Sequence, residues 1–179
     1  EVGYRPLLDP SRSWPLILTL ANANVLVLYF GCRHRYKHTN LQHIYNRTNP
    51  ELKGKMISLE TEAERTLFFD FLPIDLGVVG GYKIKIQGFT GPGQVKYNLT
   101  RKYVLMGADC VVFVADSQAD RVDENVESVV NVGENLTANG LDVSTIPLVM
   151  QYNKRDLPNA MPVDQLIDLS LIHISEPTR

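Results

Sequence analysis

The chain is poor in cysteine, carries almost no net charge and has no long apolar run. Its 179 residues include two cysteines, Cys32 and Cys110, which lie far apart and fit no metal-binding spacing. We predict no disulfide scaffold, a buried Cys110 thiol and a cytoplasmic location. The formal net charge of −2 gives no electrostatic basis for nucleic-acid binding, which usually needs a basic face. No apolar stretch approaches the roughly 20 residues of a transmembrane helix.

Short apolar runs alternate with helix-like segments along the chain. Such alternation predicts an α/β fold, with a mostly parallel central sheet that carries helices on both faces. Gly80 and Gly81 favour a hairpin between two of the strands, and Asn139-Gly140 is typical of a helix end. The predicted strands are 24–30, 66–72, 82–89, 110–115 and 146–152. The predicted helices are 39–46, 96–106, 122–138 and one that starts at 162.

The tetrapeptide Asn153-Lys154-Arg155-Asp156 follows the last predicted strand. The Asp156 carboxylate can accept two hydrogen bonds from the N1–H and 2-amino groups of guanine, a donor pair that adenine lacks. Asn153 can bridge the base and the loop backbone, and the Lys154 stem can lie along a ring face. The alternative is a polar turn after a strand. The position of the tetrapeptide at the carboxyl end of a buried strand favours a ligand site over a simple turn.

The segment 31–39 resembles a phosphate-binding loop between a strand and a helix. In the pattern G-x-x-x-x-G-K-[ST], Gly31 and Lys37 have the correct spacing. Tyr36 replaces the second glycine, which lets the backbone wrap closely around phosphates. His38 replaces the residue whose hydroxyl binds Mg²⁺. Thr39 comes one position later, about 100° further round the helix, so its hydroxyl cannot simply take that place. Taken alone, the segment is better explained as a basic loop that joins a strand and a helix. We predict that His34 and His38 are loop residues rather than metal ligands, since no carboxylate or cysteine partner matches them.

Two further segments next to predicted strands contain candidate functional residues. After the strand 82–89, Gly93 can meet a γ-phosphate and Gln94 can orient an attacking water; the alternative is a tight turn. At the start of the strand 66–72, Thr66 can bind Mg²⁺ through its hydroxyl and Arg65 can offset transition-state charge. The alternative there is a strand entrance with solvated charges.

In this order, these motifs resemble the bacterial MglA-type small Ras-like GTPases of gliding motility and cell polarity. Long stretches carry the resemblance: 54–73 (GKMISLETEAERTLFFDFLP), 111–117 (VVFVADS) and 151–158 (QYNKRDLP). It extends over about 24 to 169, and Thr90 matches the family's threonine at the start of its switch II motif. The resemblance implies a P-loop NTPase Ras-like fold and a switch that hydrolyses GTP to GDP with Mg²⁺.

The resemblance also assigns roles to individual residues. It implies catalytic roles for Gln94, which would orient the attacking water, and for Arg65, an intrinsic arginine finger. Thr66 would be the Mg²⁺ ligand of switch I, while Asp116 has no assigned nucleotide contact. The implied nucleotide-binding residues are Gly31, Lys37, Thr39, Thr66, Gly93, Asn153, Lys154 and Asp156. The implied partners are a roadblock-type GTPase-activating protein, an exchange factor and polarity effectors.

The ends of the chain and the phosphate loop depart from the family pattern. We expect a poorly defined segment over 1–23, a GTPase domain over 24–169 that is truncated at its C-terminus, and a non-native tail over 170–179. Tyr36 and His38 favour an alternative function, a pseudo-GTPase interaction module with weak or no nucleotide binding. A third possibility is that residues 32–38 contain sequencing errors.

Overall fold

The computed structural model describes residues 22–31, 34–59, 69–92 and 98–168. The elements are β1 (Asn22–Phe30), α1 (His34–Arg47), β2 (Ile57–Leu59), β3 (Phe69–Val79), β4 (Tyr82–Thr90), α2 (Asn98–Leu105), β5 (Cys110–Asp116), α3 (Val122–Ala138) and β6 (Leu148–Asn153). Short 3-10 turns cover Pro50–Leu52 and Ala119–Arg121, and 163–168 is helical. The predicted segment 1–23, except for its last two residues, and the predicted tail 170–179 lie outside the described residues.

The strands form one sheet of six in the order β2-β3-β4-β1-β5-β6. The pairs β4–β1, β1–β5 and β5–β6 are parallel, whereas β2–β3 and β3–β4 are antiparallel. This mixed sheet confirms the predicted α/β class with a mainly parallel centre. The apolar runs of β1 and β5 explain their central position, since a strand covered on both faces has no need of polar alternation.

Helices cover both faces of the sheet. On one face, α2 and α3 pack against alternate residues of β1 and β5 in the main apolar core. On the other face, Leu41 of α1 lies beside Gly88 and Leu72, and Gly88 alternates along β4 with Phe89, which borders the main core. Buried members of the main core include Leu28, Phe30, Leu105, Val111, Phe113, Val129, Val132 and Leu136.

The β3–β4 hairpin confirms the turn predicted at Gly80 and Gly81. Both glycines have positive φ angles, +60° and +88°, as a two-residue type I′ hairpin turn requires. β3 is longer than predicted, because it continues beyond Leu72 through Pro73 to Val79. Pro73 is tolerated because its carbonyl accepts from Gly54, so its nitrogen also faces away from β4 and no ladder bond is lost.

Candidate nucleotide-binding site

Most of the predicted nucleotide-binding residues that the structure describes lie at one edge of the sheet. β1, β5 and β6 are parallel neighbours, so their carboxyl ends lie side by side. Gly31 follows β1, Ser117 follows β5 and Lys154 follows β6. Crevices at the carboxyl ends of such strands are where α/β sheets bind ligands. The fold therefore brings together the segment 31–39, the phosphate loop, and the segment 153–156, the base-reading loop, which are about 120 residues apart in the sequence.

Gly31 occupies a position that only glycine fits. It is buried, its φ is +151°, and a Cβ there would lie 2.2 Å from the backbone oxygen of Val114. The backbone of the phosphate loop thus begins in close contact with β5. This constraint is a structural reason for glycine at the first position of the motif, independent of any ligand.

Lys37 lies in the first turn of α1 and is fully buried. Its Nζ donates a 2.8 Å hydrogen bond to the Gly31 carbonyl, so the side chain reaches back to the residue that follows β1. The first turn of a helix favours anions, since its backbone N–H groups and dipole point towards them. An ammonium group at this position adds positive charge where phosphates would bind.

Tyr36 reaches from α1 to the base-reading loop. Its hydroxyl donates a 3.0 Å hydrogen bond to Asp116 Oδ2, and Lys154 Nζ lies 4.8 Å from the centre of its ring. From the sequence alone, this side chain is only the replacement of a glycine. In the structure it connects the ends of β1, β5 and β6.

Asp116 is the fully buried carboxylate at the centre of these contacts. Its Oδ2 lies 3.2 Å from Lys154 Nζ, and its Oδ1 accepts a 3.1 Å hydrogen bond from the Gln118 amide. The Asn125 side chain of α3 accepts a 3.0 Å hydrogen bond from the Asp116 amide and donates a 2.7 Å bond to the Asp116 carbonyl. Such pairing compensates the desolvation of a buried charge. Asp116 is therefore an organising residue of the site, which the sequence did not indicate.

The base-reading loop is held at the end of β6. The carbonyl of Asn153 accepts from the Ser117 amide at 3.0 Å, and its side chain accepts from Gln151 at 3.0 Å. Lys154 has a φ of +62° and donates a 2.6 Å bond to Gln118 Oε1. Hydrogen bonding to the Tyr36 phenol, followed by that to Asp116, raises the pKa of Lys154 above its usual value. Asp156 is exposed on the same loop.

The prediction that His34 and His38 are loop residues is wrong, and so is the expectation that His38 has no carboxylate partner. Both lie in α1, and His38 Nδ1 is 2.9 Å from Asp70 Oδ1. Asp70 is buried at the start of β3 and also accepts from Ser58 Oγ at 2.7 Å and from Thr90 Oγ1 at 2.9 Å. Thr90 in turn accepts from the Asp70 amide at 2.7 Å. This cluster puts a carboxylate and two hydroxyl groups beside His38, the residue that replaces the hydroxyl ligand of Mg²⁺ in the motif.

Thr39, another predicted nucleotide-binding residue, is exposed on α1. Four predicted residues, Arg65, Thr66, Gly93 and Gln94, lie outside the described residues. The turn that leads to the last two begins at Gly91, whose amide donates 2.9 Å to the Tyr29 carbonyl of β1. Within the described ranges, no three His, Cys, Asp or Glu side chains are grouped as metal ligands.

Arg101 is a fully buried cation in α2, the helix that follows the predicted switch II segment. Its guanidinium carbon lies 4.6 Å from the ring centre of Phe30, the residue before Gly31. Its Nη2 donates to Ser128 Oγ of α3 at 3.0 Å. Arg101 thus ties α2 to α3 and to the end of β1, and no motif in the sequence indicated this role.

Comparison with known proteins finds a clear relative. The chain is 53% identical over 143 residues to the mutual gliding-motility protein MglA of Myxococcus xanthus (strain DK1622), and the match covers 80% of this chain and 73% of the relative. No family model matches the chain. This similarity, with the α/β sheet, defines a small Ras-like GTPase with a P-loop NTPase fold. The chain belongs to the MglA-type family of gliding motility and cell polarity.

None of the helices in the described part of the chain is both long and apolar enough to cross a membrane.

Proposed function

We propose that this chain binds GTP and GDP between the phosphate loop and the base-reading loop and hydrolyses GTP as a switch in bacterial cell polarity and gliding motility. The observation that carries the proposal is the placement of Lys37 and Lys154 at the same edge of the sheet, after β1 and β6, on either side of the end of β5. One loop offers a buried ammonium and a helix N-terminus for phosphates. The other offers a carboxylate for a base. A ligand with both groups, a nucleotide, suits this pair of loops.

Guanine is the base that Asp156 is suited to select. Its exposed carboxylate is able to accept two donors from guanine, whereas adenine leaves it unpaired. Asn153 is held by Ser117 and Gln151, so the loop that carries Asp156 is fixed to the end of β6. Gly31 and Lys37 would hold the β- and γ-phosphates, with Thr39 adjacent on the same helix.

Mg²⁺ would bind among oxygen donors on the β3 side of the phosphate loop. Hard cations prefer carboxylate and hydroxyl oxygens, and Asp70, Ser58 and Thr90 supply such donors at the position described above. The imidazole of His38 suits softer metals, so we assign it no coordinating role. Thr66 would be the ligand from switch I. The ion would offset charge on the phosphates.

The catalytic and sensing residues would come from the two switch segments. Gln94 would orient the attacking water, Arg65 would stabilise negative charge in the transition state, and Gly93 would contact the γ-phosphate. Loss of that phosphate would release both segments. A roadblock-type GTPase-activating protein, an exchange factor and polarity effectors would read or reset the switch in the cytoplasm.

The test is a titration of the purified chain with fluorescent GDP, with and without Mg²⁺. We expect competition by GTP but not by ATP. Asp156→Ala should weaken binding roughly 10- to 100-fold, the effect of one charged hydrogen-bond acceptor. Asp164→Ala removes an exposed carboxylate from the helical segment 163–168 and should leave binding unchanged.

Hydrolysis is tested separately. Gln94→Ala or Arg65→Ala should slow GTP turnover with little change in GDP affinity, and unchanged turnover would refute these two roles. If the parent chain binds no guanine nucleotide, the pseudo-GTPase interaction module replaces this proposal. Binding that appears only in Tyr36→Gly/His38→Thr would show that the present phosphate loop is incompetent.

A further inference from the structure

The Tyr36 side chain follows the route that a nucleotide would take through the proposed site. A nucleotide with phosphates at Lys37 and its base at Asp156 must run from the end of β1, past β5, to the end of β6. Tyr36 starts in α1 above the end of β1, bonds Asp116 at the end of β5 and lies under Lys154 after β6. The phenol therefore lies along the same three strand ends that a bound nucleotide would pass.

The ammonium group of Lys154 is fully engaged by protein groups. An ammonium has three N–H donors. Here one oxygen of Asp116 lies at 3.2 Å, Gln118 Oε1 accepts at 2.6 Å, and the ring face of Tyr36 lies at 4.8 Å. Attraction of a cation to an aromatic face adds to the two polar contacts. Lys154 must give up at least one of these partners before Nζ can face a ligand.

Tyr36 and Lys154 also converge on the same oxygen. Asp116 Oδ2 accepts from the phenol at 3.0 Å and lies 3.2 Å from the ammonium. Because Asp116 is fully buried and fixed to α3 by Asn125, this acceptor cannot follow a moving partner. The phenol, the carboxylate and the ammonium thus form one connected group of contacts, which joins α1 to the base-reading loop.

We propose that Tyr36 is an intramolecular clamp, which holds Lys154 against Asp116 and must release it before a guanine nucleotide occupies the site. This inference rests on the proposed function. It assigns a regulatory role to Tyr36, the residue that replaces a glycine of the phosphate loop. The clamp slows nucleotide association. It does so by withholding the lysine whose stem would lie against the base.

Association kinetics with fluorescent GDP, measured by stopped flow, test the clamp. Tyr36→Phe removes the hydroxyl bond to Asp116 but keeps the ring, and it should raise the association rate constant roughly 3- to 10-fold, as expected for one hydrogen bond. Tyr36→Gly removes the whole contact and should raise it further. Tyr45→Phe is the matched control, since Tyr45 also lies in α1 beneath a lysine, with Lys53 Nζ 4.0 Å from its ring centre. It should leave the rate unchanged.

A second measurement needs no nucleotide. The rate of amine acylation at Lys154, followed by peptide mass spectrometry in the ligand-free protein, should rise in Tyr36→Phe and stay unchanged in Tyr45→Phe. If even Tyr36→Gly binds no guanine nucleotide, the proposed function fails, and faster acylation in Tyr36→Phe still supports the clamp. Unchanged acylation in Tyr36→Phe overturns it. So does a slower association or weaker affinity in Tyr36→Phe, because the phenol would then belong to the wall of the site.

Discussion

Gly31→Ala is the substitution for which the structure makes the sharpest prediction. The new Cβ would lie 2.2 Å from the Val114 oxygen and 3.1 Å from its carbonyl carbon. Both atoms belong to the backbone of β5, a central strand paired on both sides, so they have little freedom to move. The φ of +151° is also unfavourable for alanine. We expect a folded but clearly destabilised protein.

The expected loss combines two costs. A non-glycine residue in a sparsely populated backbone region costs about 1–3 kcal/mol, and overpacking a well-packed interior costs about 1–3 kcal/mol. The free energy of unfolding should therefore fall by roughly 2–6 kcal/mol. For a chain of this size each kcal/mol shifts Tm by about 2–4 °C, so the midpoint should fall by about 4–24 °C.

Urea and thermal denaturation followed by circular dichroism measure both quantities. Gly133→Ala provides the matched control, because Gly133 lies inside α3 and, apart from the backbone of its own helix, nothing lies within 4 Å of an added Cβ. Alanine there should stabilise the protein by up to about 1 kcal/mol through helix propensity. A free energy of unfolding for Gly31→Ala within about 0.5 kcal/mol of the parent value, the usual scale of neutral surface changes, would contradict the expected clash with Val114.

Three further outcomes are expected. Leu136→Ala, in the fully buried core, should lower the free energy of unfolding by about 2–5 kcal/mol in urea. Burial raises the pKa of the Cys110 thiol above 9.0, so alkylation should be slow at neutral pH; the protonated thiol favours the folded state below pH 9.0, and this contribution disappears as pH rises through the folded pKa. A hydrogen bond from the Gly77 amide lowers the pKa of Asp75 below 3.8. Its stabilising contribution is present above pH 3.8 and lost as pH falls through the folded pKa, which an NMR titration measures.

Each outcome has a control. Leu52→Ala, at an exposed position, should cost far less than Leu136→Ala, and equal costs would contradict the assigned core. Alkylation is measured in a Cys32→Ser chain, and a titration midpoint at or below 9.0 would contradict burial of the remaining thiol. Lys83→Gln removes a secondary partner of Asp75 at 3.6 Å, so most of the pKa shift should remain.

The sequence predicted those parts of the fold that depend on local patterns. The bounds of α3 match the prediction because its apolar spacing and its Asn139-Gly140 end are both local signals. β2 has three residues, too few for a periodic pattern. The extension of β3 through Pro73 depends on which side of the strand its nitrogen faces, which only the pairing partner decides. Cys110 is half-buried rather than buried, since β5 begins near the surface at that end.

The candidate site could be predicted in its residue types but not in its contacts. Lys37 and the base-reading loop are recognisable from spacing. The bond between Tyr36 and Asp116 joins residues 80 positions apart, and that between His38 and Asp70 joins residues 32 apart. Both depend on strand order, which no local pattern encodes. The roles of Arg65, Thr66, Gly93 and Gln94 remain predictions.

The two-glycine turn between β3 and β4 has a consequence for the order of folding. It joins Val79 to Tyr82 directly, whereas β1 must close a chain of about 60 residues to pair with β4. A hairpin closes in about 1–10 μs, and longer closures lose more chain entropy. We expect the hairpin to be an early template onto which β1, and with it the phosphate loop, is added. Lengthening the turn with glycine and serine should slow refolding more than it accelerates unfolding, and stopped-flow measurements of both rates test this order.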